Sequence, residues 1–118
     1  MQENYGASPV VVAARRLVER MLADQALAPD LLVRELHVSR RTLNRAFAGE
    51  GESLMAYVRR RRLENALADL TGSESRLSVT EAAARWRFAD SSHLVRACRK
   101  RYGQTPTQYV RTRSRNVS

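Results

Sequence analysis

Leu54 to Leu70, LMAYVRRRRLENALADL, is the stretch that most narrows what this chain can become. Leu54, Tyr57, Val58, Leu63, Ala66, Leu67 and Leu70 recur at three- and four-residue spacing, which predicts a helix with one buried side. Ser53 stands where its cap belongs. Arg59 to Arg62 cross the apolar pattern. A helix distributes four adjacent residues over all its faces, so at least one of these arginines must lie at the edge of the apolar stripe while others point outward. On each side of the run lie a short helix-like segment, a tight break, and a second short segment rich in basic and small polar residues. The expectation is an all-α chain in which two helix-turn-helix units are joined by a long basic linker helix.

The chain has 118 residues, a length usual for one domain yet small enough for its core to be divided. Lys and Arg total 21 against 12 for Asp and Glu, a formal charge of +9 that favours a polyanionic partner: DNA, RNA or an anionic membrane surface. No apolar run approaches the roughly 20 residues needed to cross a bilayer, and the first residues lack the layout of a signal peptide. A cytoplasmic, nucleoid-associated protein with no membrane partner is therefore the default expectation. Cys98 is the only cysteine, which excludes an internal disulfide and a cysteine-based zinc finger. His37 and His93 stand far apart and outside any metal-ligand cluster, so neither a metal nor a cofactor is expected.

Taken in order, residues 1–8 read as a flexible lead-in and 9–52 as the first unit. Ser8 and Pro9 suit the start of a helix extending to about Gln25, with Val11, Ala14, Val18, Met21 and Leu22 on its inner face. Pro29 or Asp30 opens a second helix to about Leu36. His37 and Val38 make the break, and Ser39 caps a third helix from Arg40 to about Ala48. Leu43 and Phe47, four apart, should point inward, leaving Arg41, Asn44 and Arg45 on the other side.

The linker helix occupies 53–70 and a polar loop 71–77. Residues 78–112 form the second unit. Ser78-Val79-Thr80-Glu81 is a capping box that starts a helix with Val79, Ala82, Ala83 and Trp86 inward. Arg87, Phe88 and Ala89 form the break. Asp90 caps a helix to about Tyr102, with Leu94, Ala97 and Cys98 packing and Ser91, Ser92, His93 and Arg96 near its beginning. Gly103 ends it. Thr105-Pro106-Thr107-Gln108 repeats the capping logic before a short last helix, and 113–118 reads as a frayed basic tail.

Paired units of this kind suggest contact with two turns of one duplex. A major groove accepts one helix, and its successive exposures on one side of DNA lie roughly 34 Å apart. The strut, 17 residues long, would extend roughly 25 Å at 1.5 Å per residue. A single chain would then present Arg45 and Arg96 toward neighbouring turns of an asymmetric site of about 20 base pairs. Arg41 and Arg45 offer paired donors to guanine and Asn44 matches adenine. On the second helix only Arg96 has that fork, beside the shorter or more versatile Ser91, Ser92 and His93. The first unit should therefore dominate sequence discrimination. Arg59, Arg60, Lys100, Arg101 and the helix start at Ser39 are assigned to phosphate.

Quieter readings fit other residues. Phe47, Trp86, Phe88, Tyr102 and Tyr109 read as core aromatics, since no strand run offers a stacking platform for RNA. Cys98 reads as a small buried thiol. No Gly-rich phosphate loop, HExxH or nucleophile with an evident base is present, and the chain does not read as an enzyme. The functional alternatives to sequence-specific duplex binding are a low-specificity architectural DNA binder, an RNA-binding helical domain and a protein-interaction helical domain.

Between Leu32 and Val110 the motifs resemble the DNA-binding domain of the AraC/XylS family of bacterial transcription regulators. The resemblance is carried by Val38-Ser39, Leu43, Arg45 and Phe47, by Tyr57 and Arg62-Leu63-Glu64-Asn65-Ala66, and by Ala83, Phe88, Ser92, His93, Arg96, Tyr102-Gly103, Thr105-Pro106 and Tyr109. It implies seven helices, two reading helices in successive major grooves, and often a bent duplex. It also implies base-reading surfaces at Arg41, Asn44 and Arg45, then Ser91, Ser92, His93 and Arg96. Activation by contact with RNA polymerase, and an N-terminal effector or dimerisation domain in most relatives, follow from the resemblance alone. Departures are His37 and Arg87 at turn sites commonly occupied by glycine, Leu94 and Cys98 in place of frequent phenylalanines, and a short connection over Ala48 to Gly51. At the two turns, either the backbone stays right-handed or a strain of roughly 1 kcal/mol is accepted.

Overall fold

Almost every helix begins where a side chain can take up a free backbone N–H. The computed structural model describes residues 8–71 and 77–117, and among these it contains seven helices and no strand. They are α1 (Pro9–Met21), α2 (Pro29–Leu36), α3 (Arg40–Ala48), α4 (Leu54–Thr71), α5 (Val79–Arg85), α6 (Ser91–Tyr102) and α7 (Pro106–Val117). The lead-in expected over 1–7 and the polar loop over 72–76 lie outside the described residues. Ser8 accepts from Val10 N–H at 3.1 Å, Ser39 from Thr42 N–H at 3.0 Å, and Ser53 from Ala56 N–H at 3.1 Å. Ser78 and Glu81 close a reciprocal box at 2.8 and 3.1 Å, and Thr105 and Gln108 close another at 2.8 and 3.2 Å. Only α2 differs: Ala28 supplies no side-chain cap, while Pro29 has no N–H to satisfy and Asp30 places a negative charge in the first turn.

Two helix ends differ from expectation. α1 stops at Met21 rather than near Gln25, because Asp24 turns the chain. Its side chain accepts from Ala26 N–H at 2.8 Å and its carbonyl accepts from Leu27 N–H at 3.2 Å, offering the backbone an alternative to the helix. Leu22 and Leu27 are both buried, so the turn feeds one more leucine into the core than the periodicity suggested. At the other end of the chain, α7 runs on to Val117.

Both breaks are left-handed. His37 has φ 57° and Arg87 has φ 67°, so the strain is accepted. In each unit the residue after the left-handed one closes the same bond, Val38 N–H to Val33 O at 3.2 Å and Phe88 N–H to Ala83 O at 2.9 Å. A non-glycine residue there costs about 1–2 kcal/mol, and histidine tolerates the region better than arginine.

The chain divides into two compact units between Arg61 and Arg62, in the middle of α4. In the first, α1 packs against both α2 and α3. Val11, Ala14 and Val18 of α1, Leu32 of α2, Leu43 and Phe47 of α3, and Leu54, Tyr57 and Val58 of α4 are buried. In the second, α6 packs against α5 and α7. Its core joins Leu63, Ala66, Leu67 and Leu70 of α4 to Ala82 and Ala83 of α5 and to Leu94 and Cys98 of α6. Each of the apolar positions that marked the strut is buried, some in one core and some in the other. The strut is thus a shared element whose two halves complete separate units.

Candidate nucleic-acid interface

On α3, burial of Leu43 and Phe47 turns Arg41, Asn44 and Arg45 outward together, all three exposed. The residues around them are held in place. Arg40 pairs with Asp30 across the turn, tying α2 to α3. Ser39 donates its hydroxyl to Thr42 Oγ1 at 2.9 Å while accepting from Thr42 N–H, so its own oxygen is committed inside the cap. The Ser39 hydroxyl hydrogen is therefore taken up within the cap rather than turned outward. Asn44 also lines a cavity of about 330 Å³ with Phe47, Ala48, Gly51, Glu52, Ser53 and Leu54.

On α6, Leu94 and Cys98 are fully buried and fill the places expected of larger aromatic side chains. Burial raises the Cys98 thiol above its ordinary pKa, as befits an unreactive core residue. Ser92, His93 and Arg96 are exposed, whereas Ser91 is half-buried and is the least presented of the four. His93 is not a free-swinging side chain: its Nδ1 lies 3.0 Å from Asp90 Oδ1, which also accepts from His93 backbone N–H at 3.0 Å. The hydrogen bond from the His93 ring, with those from the His93 and Ser92 backbones, holds the Asp90 carboxyl below its ordinary pKa.

Helical geometry separates the basic residues farther along α6. Arg99 is exposed and follows Arg96 by three and Ser92 by seven, which puts it on the same stripe. The three- and seven-residue spacing alone places Arg99 beside the candidate readers of α6, among which only Arg96 was named for its guanidinium fork. Lys100, four from Arg96, lies about 40° round the axis and stays near that stripe. Arg101 lies about 140° round. It is exposed with its guanidinium 6.0 Å from the Tyr102 ring centroid, on a different side from Arg96.

The four arginines of α4 have different fates. Arg59 is exposed. Arg60 grips Glu52 through Nε at 2.8 Å and Nη2 at 3.0 Å, with its guanidinium 5.3 Å from the Tyr57 ring. Arg61 grips Glu19 of α1 at 2.7 and 3.0 Å, and Tyr57 donates its hydroxyl to the same carboxylate at 2.6 Å. The Arg61 hydrogen bonds hold Glu19 below its ordinary pKa. Burial, reinforced by the hydrogen bond to Glu19, pushes Tyr57 up to about 12. Arg62 is half-buried, and its pKa is lowered by desolvation and then by the nearby Arg87 cation. Arg15 of α1 completes the first unit. Its guanidinium lies 5.9 Å from Phe47 and 5.4 Å from Tyr57 and reaches Glu50 at 3.4 Å, on the side of α3 that carries the buried Phe47.

In the second unit Asp69 of α4 accepts from the Trp86 indole N–H at 2.8 Å and pairs with Arg85 at 3.2 Å. Trp86 and Phe88 are packed against the core while remaining partly exposed, and Tyr102 meets Tyr109 with centroids 5.0 Å apart. Among the described residues no group of His, Cys, Asp and Glu side chains is gathered to hold a metal ion. No helix there is long and apolar enough to cross a membrane.

Comparison with known proteins agrees with this architecture. A family described as a helix-turn-helix domain matches residues 32–112. Regulatory protein HrpB of Ralstonia nicotianae is 32% identical over 104 residues, covering 83% of this chain and 22% of its own length. This chain therefore spans about a fifth of that relative. A transcriptional regulator of Chromobacterium violaceum, described as having an AraC-type DNA-binding domain, superposes with a TM-score of 0.82 at 25% identity, covering 93% of this chain and 96% of that one. The C-terminal domain of AraT, a response regulator from Geobacillus stearothermophilus, gives a TM-score of 0.77 at 27% identity over 91% of this chain and 88% of that one. The family and fold are those of DNA-binding proteins rather than enzymes. Matched over residues 32–112, this chain belongs to the helix-turn-helix domain family, and its fold is that of AraC-type DNA-binding domains.

Proposed function

We propose that one copy of this chain binds a specific duplex site of about 20 base pairs with α3 and α6 in successive major grooves. The observation that carries the reading is the pairing of an exposed polar face with a buried apolar back on both helices: Arg41, Asn44 and Arg45 against Leu43 and Phe47, and Ser92, His93 and Arg96 against Leu94 and Cys98. Arg41 and Arg45 read guanine and Asn44 reads adenine. Arg96 reads guanine in the second half-site, where Ser91, Ser92 and His93 contribute shorter or water-mediated contacts. Arg59 and Lys100 contact phosphate directly. Arg60 reaches phosphate only by sharing its Glu52 grip, and Arg101 adds to the general field. The protein acts in the cytoplasm on the nucleoid. Activation through contact with RNA polymerase, under control of an N-terminal effector or dimerisation domain, extends this reading by family likeness.

Selection from a random duplex library at physiological salt tests the reading. An asymmetric motif is expected, and Arg45→Ala should relax one of its positions at a cost of about 1–3 kcal/mol on the preferred site. Equal losses on cognate and random duplex would favour a low-specificity architectural binder. Tighter binding to folded or single-stranded RNA would favour the RNA alternative.

A further inference from the structure

The Asp90–His93 contact fixes what kind of base edge the second reading helix can accept. A carboxylate with a lowered pKa is ionised near neutral pH and can only accept hydrogen bonds, so the His93 nitrogen facing it, Nδ1, must carry a proton. In a neutral imidazole the other nitrogen, Nε2, is then a bare acceptor. The Asp90 carboxylate is itself anchored, because it also accepts from the His93 backbone N–H at 3.0 Å at the start of α6. One side chain thus caps the helix and chooses the tautomer of its third residue. His93 is exposed, with its side chain about half accessible, so Nε2 is open to a ligand.

We infer that Asp90 is a specificity-positioning residue: by holding His93 with Nε2 as acceptor, it makes this position of the operator an adenine or cytosine. Those are the bases that present a donor in the major groove, N6–H₂ of adenine and N4–H₂ of cytosine. Guanine and thymine offer only acceptors at the corresponding edge and meet the Nε2 lone pair unfavourably. The inference rests on the reading of α6 as a base-contacting helix, and it gives that helix a defined preference where the residue types alone left His93 versatile.

The test is the ratio of affinities for four duplexes that differ only at the base pair contacted by His93. That pair is found as the position where His93→Ala flattens the preference of the whole chain. Measurements belong in a slightly alkaline buffer, which favours the neutral ring that the inference requires. Wild type should favour adenine or cytosine by roughly tenfold, about the worth of one well-placed hydrogen bond. Asp90→Gly leaves a tolerated helix cap with no side chain to reach the ring, and should reduce that ratio to below about threefold with only a small loss of thermal stability. Ratios are insensitive to the fraction of protein folded, so a destabilised variant still reports. Guanine or thymine preferred by wild type, or an Asp90→Gly profile identical to wild type, overturns the tautomer assignment while leaving His93 a reader. If His93→Ala alters no position at all, it is the reading of His93 itself that fails, and the inference falls with it.

Discussion

Two residues, His37 and Arg87, show how a local rule was broken and at what cost. Both occupy left-handed turns that a glycine would adopt freely, and both units keep the turn because the following N–H closes back on the helix. From the residue types alone, the hand of these turns was undetermined. Only the backbone shows that strain is stored there. His37→Gly and Arg87→Gly should each stabilise the protein in chemical denaturation by about 0.5–1 kcal/mol, the relief of left-handed strain less the extra entropy of an unfolded glycine. The gain should be larger at Arg87, because arginine tolerates the region less well and because its cation lies near the half-buried Arg62. A loss of stability at either site would show that the side chain is held by contacts worth more than the strain. The outward facing of the proposed readers was legible. Facing along α3 followed from Leu43 and Phe47, and facing along α6 from Leu94 and Cys98. The orientation of the His93 ring was not, since it depends on one carboxylate three residues earlier.

At the scale of the element, α4 is where the sequence said most and least. Its apolar positions were all readable by spacing and all are buried. The fate of its four arginines was not, because their partners Glu19 and Glu52 are set by folding rather than by neighbourhood on the helix. That difference can be measured. Arg59→Ala should weaken DNA binding on every sequence, flatten the salt dependence by about one unit of slope, and leave thermal stability unchanged. Arg60→Ala should also lower stability by about 1 kcal/mol, because it leaves the partly buried Glu52 without its fork. Equal behaviour of the two variants would contradict the division of roles.

The Tyr57–Glu19–Arg61 cluster gives α4 a pH signature. Glu19 is lowered, so its contribution is complete above its ordinary value of 4.5 and is lost as pH falls below it. Tyr57 is raised, so its contribution is complete below 10 and is lost as pH climbs toward about 12. Denaturation followed across pH should show stability falling at both ends. Tyr57→Phe should remove the alkaline fall and leave the acid one, whereas an unchanged alkaline limb would place its origin elsewhere.

For the molecule as a whole, the division of labour between units came from order rather than from any single motif. Two capped helices, a break and a basic strut between them were visible in the chain, and the fold of the AraC type followed. The boundary inside α4, between Arg61 and Arg62, was not visible, because the apolar stripe runs through it without interruption. The end of α1 was also misjudged, since Asp24 competes for backbone bonds that periodicity does not record. The central functional claim is that a single chain uses both units on one duplex. Hydroxyl-radical footprinting at a verified one-to-one stoichiometry measures this most directly. The account predicts two protected patches about one helical turn apart on one face of the duplex, with Arg45→Ala exposing one patch first and Arg96→Ala the other. A single patch, or two patches that appear only with two chains bound, would contradict it.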